Sequence, residues 1–189
     1  MFKPKSRNKT LPDLNLCGGE VLAQYSLIHI NVFRPLGLIS SEDANAQFFF
    51  SQLPEIFAKA DAYEGLSWHN HAIRSQDGEF FTFEDAFATA DQGFVNPDVI
   101  TMAGWRDVAA LHQFAYRYDR HRDGMKELRN WGDRSVGATL AMWWAPKAER
   151  ITIRKGWEKL QQLRAEGPSR EVFTLQERFE APEVSDRET

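Results

Sequence analysis

The stretch from Trp105 to Trp144 constrains what this chain can fold into more than any other. It reads as the end of a strand at Trp105, a helix from about Asp107 to Trp131, and a further strand from about Val136 to Ala145. Along the helical part Leu111, Phe114, Ala115, Tyr118, Met125 and Leu128 recur at spacings of three and four, which gathers them on one apolar face. His121 falls on that face, so its imidazole is expected to point toward whatever the helix covers. An apolar helix face of this length must be buried against another layer, and the flanking strands supply one.

The rest of the chain supplies the same kinds of element. The run from Glu20 to Phe33 is rich in β-branched and aromatic residues and reads as a first strand. Its alternation puts Ile28, Ile30 and Val32 on one face and Leu27, His29 and Asn31 on the other, so both faces are occupied and one carries polar groups. Pro35 and Gly37 end it, and Ser40 or Ser41 offers a cap for a helix running to about Tyr63. Phe49, Leu53, Phe57 and Ala60 form the stripe of that helix, and Pro54 is expected to kink or divide it. Leu66 to Arg74 reads as a second strand in which Ser67, His69 and His71 alternate with Trp68, Asn70 and Ala72. A hairpin through Asp77-Gly78 and a short helix near Glu84 to Ala90 follow, in a segment with five Phe that is expected to form a flap over the site. Val99 to Trp105 is the third strand, and a last helix from Thr152 is closed by Gly167-Pro168.

Composition bounds the function. A chain of 189 residues with 42% apolar content suits one domain, placed at residues 20–179, with a draped arm over 1–19 and an acidic, disordered tail over 180–189. The net charge of −4 argues against a nucleic-acid partner. No apolar run approaches 18 residues, so no membrane span is expected, and the basic N-terminus lacks the apolar core of a signal peptide. A cytoplasmic protein is therefore expected, and the single Cys17 permits no intrachain disulfide.

The order β-α-β-β-α-β with an extra C-terminal helix implies an α+β, ferredoxin-like fold, a four-stranded antiparallel sheet with helices on one face. The two-sided strands then call for cover on the second face, which a homodimer joined sheet to sheet would provide. Several motifs point the same way. Leu22-Ala23-Gln24-Tyr25, Gly65 through Trp68, Trp105 to Leu111, His121 with Trp131, Trp143-Trp144-Ala145-Pro146, and Leu163 to Pro168 followed by Phe173-Thr174 together resemble the domain of unknown function 3291 family. That family belongs among dimeric α+β barrels related to antibiotic-biosynthesis monooxygenases. The chain departs from the family pattern at Ala148-Glu149, where a Gly-His pair is typical, and at Gly132, where an aromatic is.

The resemblance implies an aromatic-walled cavity between helices and sheet that takes a hydrophobic, aromatic or polyketide-like small molecule. His121 is then the expected acid/base, with Tyr25, His29, Trp68, Trp105, Tyr118 and Trp144 around the substrate. The chemistry expected is cofactor-independent, monooxygenase-like, or that of a dehydratase or isomerase, and no dinucleotide-binding glycine fingerprint is present. Two alternatives stay open. Haem or a divalent metal would be held by a histidine, with His69 and His71 sharing a strand face as the metal candidates, or the protein binds a ligand without catalysis.

Overall fold

Alternation along the first strand decides which layer lies on each side of the sheet. The structure, a computed structural model, describes residues 24–39, 43–88, 94–117, 131–133 and 135–183. The N-terminal arm, Tyr118, His121 and most of the acidic tail lie outside those residues. In chain order the elements are β1 Tyr25–Phe33, β2 Leu38–Ile39, α1 Ala44–Asp61, β3 Leu66–Arg74, β4 Phe80–Phe81, α2 Phe83–Ala88, β5 Phe94–Val95, β6 Asp98–Trp105, α3 Val108–Arg117, β7 Leu140–Pro146 and α4 Ile153–Glu166.

The fold is α+β and ferredoxin-like. Its antiparallel sheet has the order β4-β3-β6-β1-β7, in which the four long strands take the expected arrangement and β4 adds a fifth at the edge. The addition follows from the Asp77-Gly78 hairpin, where Gly78 holds φ at +96° and brings Phe81 opposite Ile73. A separate two-stranded sheet pairs β2 with β5.

Three local expectations are corrected. The cap of α1 is Asp43, whose Oδ1 accepts the Ala46 amide at 2.7 Å, and not Ser40 or Ser41. Pro54 does not divide the helix, which runs unbroken over Ala44–Asp61. The last strand begins at Leu140 rather than Val136, because Gly137 sits at φ +76° in a turn that delays sheet pairing.

The two faces of the sheet have different characters. Ile28, Ile30 and Val32 pack with Ile100, Met102, Ala141 and Trp143 against Leu160 and Leu163 of α4, forming a dry core. Each such aliphatic side chain contributes about 1.5–3 kcal/mol on burial. α4 can lie this close because of Gly156, where a Cβ would come within 2.6 Å of Met102 Sδ. The face that sequence reasoning assigned to a second copy is thus covered by the chain's own C-terminal helix. On the other face Leu27, Ala103, Trp105 and Met142 meet Ala110 and Leu111 of α3 and Phe173 of the C-terminal segment. That segment also seals the free edge of β7, since Met142 and Phe173 exchange backbone hydrogen bonds at 2.8 Å.

At one end of the sheet, Asp98 is fully buried between two arginines. Arg34 reaches it through Nε at 2.9 Å and Nη2 at 3.0 Å, and Arg74 through Nη1 at 3.3 Å. Arg74 also lies 4.4 Å from the centre of the Trp157 ring, which ties α4 to the same end.

Candidate functional site

The apolar stripe of α1 and the polar face of β1 and β3 enclose a cavity of about 940 Å³. Its floor is the sheet, and strand register arranges that floor in rows. Asn31, Thr101 and His71 lie side by side across β1, β6 and β3, and His29, Ala103 and His69 form the next row. The small side chains of Thr101 and Ala103 on the central strand leave the middle of the floor low. His29 and His69 stand two strands apart, roughly 10 Å. The walls are mainly apolar, made by Phe48, Phe49, Leu53, Ile56 and Phe57 from α1, Leu111, Phe114 and Ala115 from α3, and Trp131, with Asn45, Gln52, Arg34 and Asp133 also in the lining.

The histidines of the floor are the chemically active part. His69 Nε2 lies 2.8 Å from Asp61 Oδ1, at the last residue of α1, and His69 Nδ1 lies 3.1 Å from His71 Nε2. A carboxylate only accepts, so the ring proton of neutral His69 belongs on Nε2. Its Nδ1 then accepts from the Nε2–H of His71, which places the lone pair of His71 on Nδ1. No hydrogen bond from described residues engages that Nδ1. Phe57 stacks on the His71 ring at 3.9 Å and on His69 at 5.3 Å, and Phe83 approaches His71 at 5.4 Å. Burial among these rings lowers the His71 imidazole from 6.5 to about 4, with His69 adding to the shift and Asp61 opposing it. His71 is therefore neutral at physiological pH.

His29 is tuned differently. Trp105 Nε1–H donates to His29 Nδ1 at 2.7 Å, which fixes the neutral ring proton on Nε2. Both residues line the cavity.

The remaining predicted residues separate. Trp68 is on the opposite face of the sheet, packed with the α4 core, because alternation along β3 turns it away from His69 and His71 and lays its ring over Gly104. Trp144 shares the face of His29 but is taken up by the C-terminal segment, donating to the Phe179 carbonyl at 2.8 Å and packing beside Phe173. Tyr25, opposite Pro146 at the start of β1, stands away from the cavity lining. Tyr118 and His121 are not among the described residues.

As metal candidates, His69 and His71 turn nitrogens toward each other and not toward a common point, so a metal would have to break their contact. Among the described residues no group of three or more His, Cys, Asp or Glu is placed to hold a metal ion. Also among these residues, no helix is long and apolar enough to cross a membrane.

Sequence reasoning did not single out Asp61. The His-x-His alternation was visible, but only the packing of the α1 C-terminus over β3 brings a carboxylate to it.

No curated protein matches this chain in sequence. A family model described as Domain of unknown function (DUF3291) matches residues 27–189. Among solved structures, two similar ones are of SnoaB, a cofactor-independent oxygenase from Streptomyces nogalater, one of them a point mutant. The mutant aligns at 15% identity and TM-score 0.36, covering 68% of this chain and 96% of its own. The other aligns at 15% identity and TM-score 0.36, covering 69% and 97%. A similarity this distant does not transfer a reaction.

Proposed function

Because this chain belongs to the Domain of unknown function (DUF3291) family, whose description specifies no reaction, we propose a function from the chemistry of the cavity itself. The protein is an enzyme that takes a flat, hydrophobic, aromatic or polyketide-like molecule between α1, α3 and the sheet and removes a proton from it. The observation that carries this reading is a neutral histidine, His71, presented on the polar floor of a cavity whose walls are mainly aromatic and aliphatic. Walls of that kind favour a planar apolar ligand, and the Asn31, Thr101 and His71 row offers hydrogen bonds to a carbonyl or phenolic oxygen. Loss of a proton from such a substrate leaves an enolate or phenolate. That anion either gives an electron to molecular oxygen, leading to oxygenation, or takes a proton back, at another carbon in isomerisation or on a β-hydroxyl that departs as water in dehydration. No resident cofactor is required for either route.

The test begins with binding. Trp105 and Trp131 line the cavity, so aromatic and polyketide-like compounds that enter it quench tryptophan emission. Filling the floor with Thr101→Phe should abolish that quenching in a protein that remains folded. Quenching that persists in the filled variant would place the ligand elsewhere and remove the basis of the proposal. Compounds that bind are then assayed for turnover with and without oxygen in wild type, His71→Gln and His121→Gln, the last because the family resemblance points to it.

A further inference from the structure

We propose that Asp61, His69 and His71 form a proton relay that joins the cavity floor to the protein surface, with His71 Nδ1 meeting the substrate and His69 and Asp61 acting behind it. The inference rests on the reading of the cavity as a proton-transfer site and says how that site works. The three groups are in line: Asp61 Oδ1 is 2.8 Å from His69 Nε2, and His69 Nδ1 is 3.1 Å from His71 Nε2. The line leads outward, since the Asp61 side chain is 70% exposed whereas that of His69 is 21% exposed.

Each step balances. The substrate gives a proton to His71 Nδ1 and keeps the bonding electron pair as an enolate or phenolate. The proton already on His71 Nε2 passes to His69 Nδ1, so His71 returns to a neutral ring. The positive charge now sits on His69, beside the Asp61 carboxylate, and the His69 Nε2 proton leaves through Asp61 to water. The arrangement answers a difficulty that a lone His71 would face. Among rings of Phe57 and Phe83 an imidazolium at His71 is disfavoured, and the charged groups acting on it are His69 and Asp61. Passing the charge one ring outward places it where a counter-ion waits. Phe57, stacked over both imidazoles, holds the two rings in the relative orientation the transfer needs. His71 is the catalytic residue of this scheme, and His69 and Asp61 are positioning residues that act through it.

The relay is tested without knowing the substrate. Long-range nitrogen–proton NMR correlations on histidine-labelled protein at neutral pH should show both His69 and His71 protonated at Nε2 and bare at Nδ1. Asp61→Ala should remove the preference at His69, and Asp61→Asn, whose amide oxygen still accepts, should restore it. A His71 ring protonated at Nδ1, or a His69 tautomer indifferent to Asp61→Ala, overturns the relay. The second readout uses umbelliferone, a flat phenol whose anion absorbs at longer wavelength. Bound to wild type, it should carry more phenolate than the free dye at the same pH, and His71→Gln should bind it as the phenol. Asp61→Ala should lower the bound phenolate-to-phenol ratio by roughly tenfold, equivalent to about one pKa unit, at unchanged dye affinity. An unchanged ratio in Asp61→Ala, or a dye that binds wild type as the phenol, refutes the relay. Failure of the dye to enter the cavity counts instead against the reading of the site, and the tautomers then decide the relay alone.

Discussion

Replacing Asp98 by Asn removes one negative charge from the point where the sheet is pinned to its ion cluster, and keeps the shape of the side chain. Asp98 is fully buried, and its partners Arg34 and Arg74 are 23% and 22% exposed. A third guanidinium, Arg164, feels the same charge: burial lowers it, Asp98 opposes that shift, and Arg34 and Arg74 reinforce it. Arg164 donates from Nε to the Ala138 carbonyl at 2.8 Å, while its Nη2 is buried without a hydrogen bond. Without the carboxylate, three arginines lose the buried counter-charge between them and keep the less buried carboxylates of Asp133, near Arg34, and Asp77, near Arg74. Breaking a fully buried pair costs about 3–5 kcal/mol, and the partial exposure of Arg34 and Arg74 lets water recover a share, so about 3 kcal/mol is expected. For a domain of this size that corresponds to a fall in Tm of roughly 6–12 °C. The assay is thermal and urea denaturation followed by circular dichroism, in wild type, Asp98→Asn, and Asp98→Asn combined with Arg34→Met. The second substitution removes one of the stranded charges and should return part of the loss. A single variant within about 0.5 kcal/mol of wild type, or a double variant worse than the sum of its parts, would refute the view that Asp98 neutralises the cluster.

Three further outcomes follow from other parts of the molecule. A Cβ at Gly104 would lie 2.5 Å from Nε1 of Trp68, so Gly104→Ala should displace a rigid ring and cost about 1–3 kcal/mol in urea unfolding. At Gly156 a Cβ would meet Met102 Sδ at 2.6 Å and Ile30 Cδ1 at 3.2 Å, so Gly156→Val should lift α4 and cost a similar amount, about 1–3 kcal/mol. An unchanged unfolding midpoint in that variant would show that α4 does not seat on the sheet in solution. His71 binds its proton less readily in the folded chain, at about 4 against 6.5 when unfolded, so the unfolded state takes up the extra proton as pH falls through that window. Stability that is fully present above pH 6.5 should be lost toward about pH 4, by about 2 kcal/mol after allowing for the partial exposure of the ring, and His71→Phe should flatten that part of the profile.

The sequence made the layers legible because period two and period 3.6 report burial directly. The split of Ile28, Ile30 and Val32 from Leu27, His29 and Asn31 is present in the structure as a split between the α4 core and the opposite face. Phe49, Leu53 and Phe57 likewise turn from a helical stripe into a cavity wall. What periodicity could not report was which partner a face would meet. Alternation alone leaves the second face of the sheet open to another copy, because nothing local in Ile153, Trp157, Leu160 and Leu163 says that this helix folds back over its own sheet. Trp68 leaves the cavity by simple parity: alternation along β3 sets it opposite His69 and His71, so the resemblance that places it beside the substrate conflicts with the strand's own pattern. Asp61 ends an amphipathic helix like any exposed acid, and its role depends on where that helix stops relative to β3.

The division between the two faces also bears on why the site can exist at all. A cavity of about 940 Å³ with five polar side chains on its floor, His29, Asn31, His69, His71 and Thr101, is a place where close packing has been given up. A sheet with helices on one side only would lose much of its core to such a space. Here α4 and the opposite strand faces form a separate dry layer through Ile28, Ile30, Ile100, Met102 and Leu160, and the sheet is anchored there whatever occupies the cavity. The floor residues stand on the same strands as that layer, alternating with it one residue at a time: His29 lies between Ile28 and Ile30, and Thr101 between Ile100 and Met102. Packing on one side therefore fixes the backbone from which the polar groups on the other side project. His71, next to buried Ala72 and Ile73, is held in the same way, and a ring held in place on a rigid strand keeps its nitrogen aligned with His69 without help from a bound substrate.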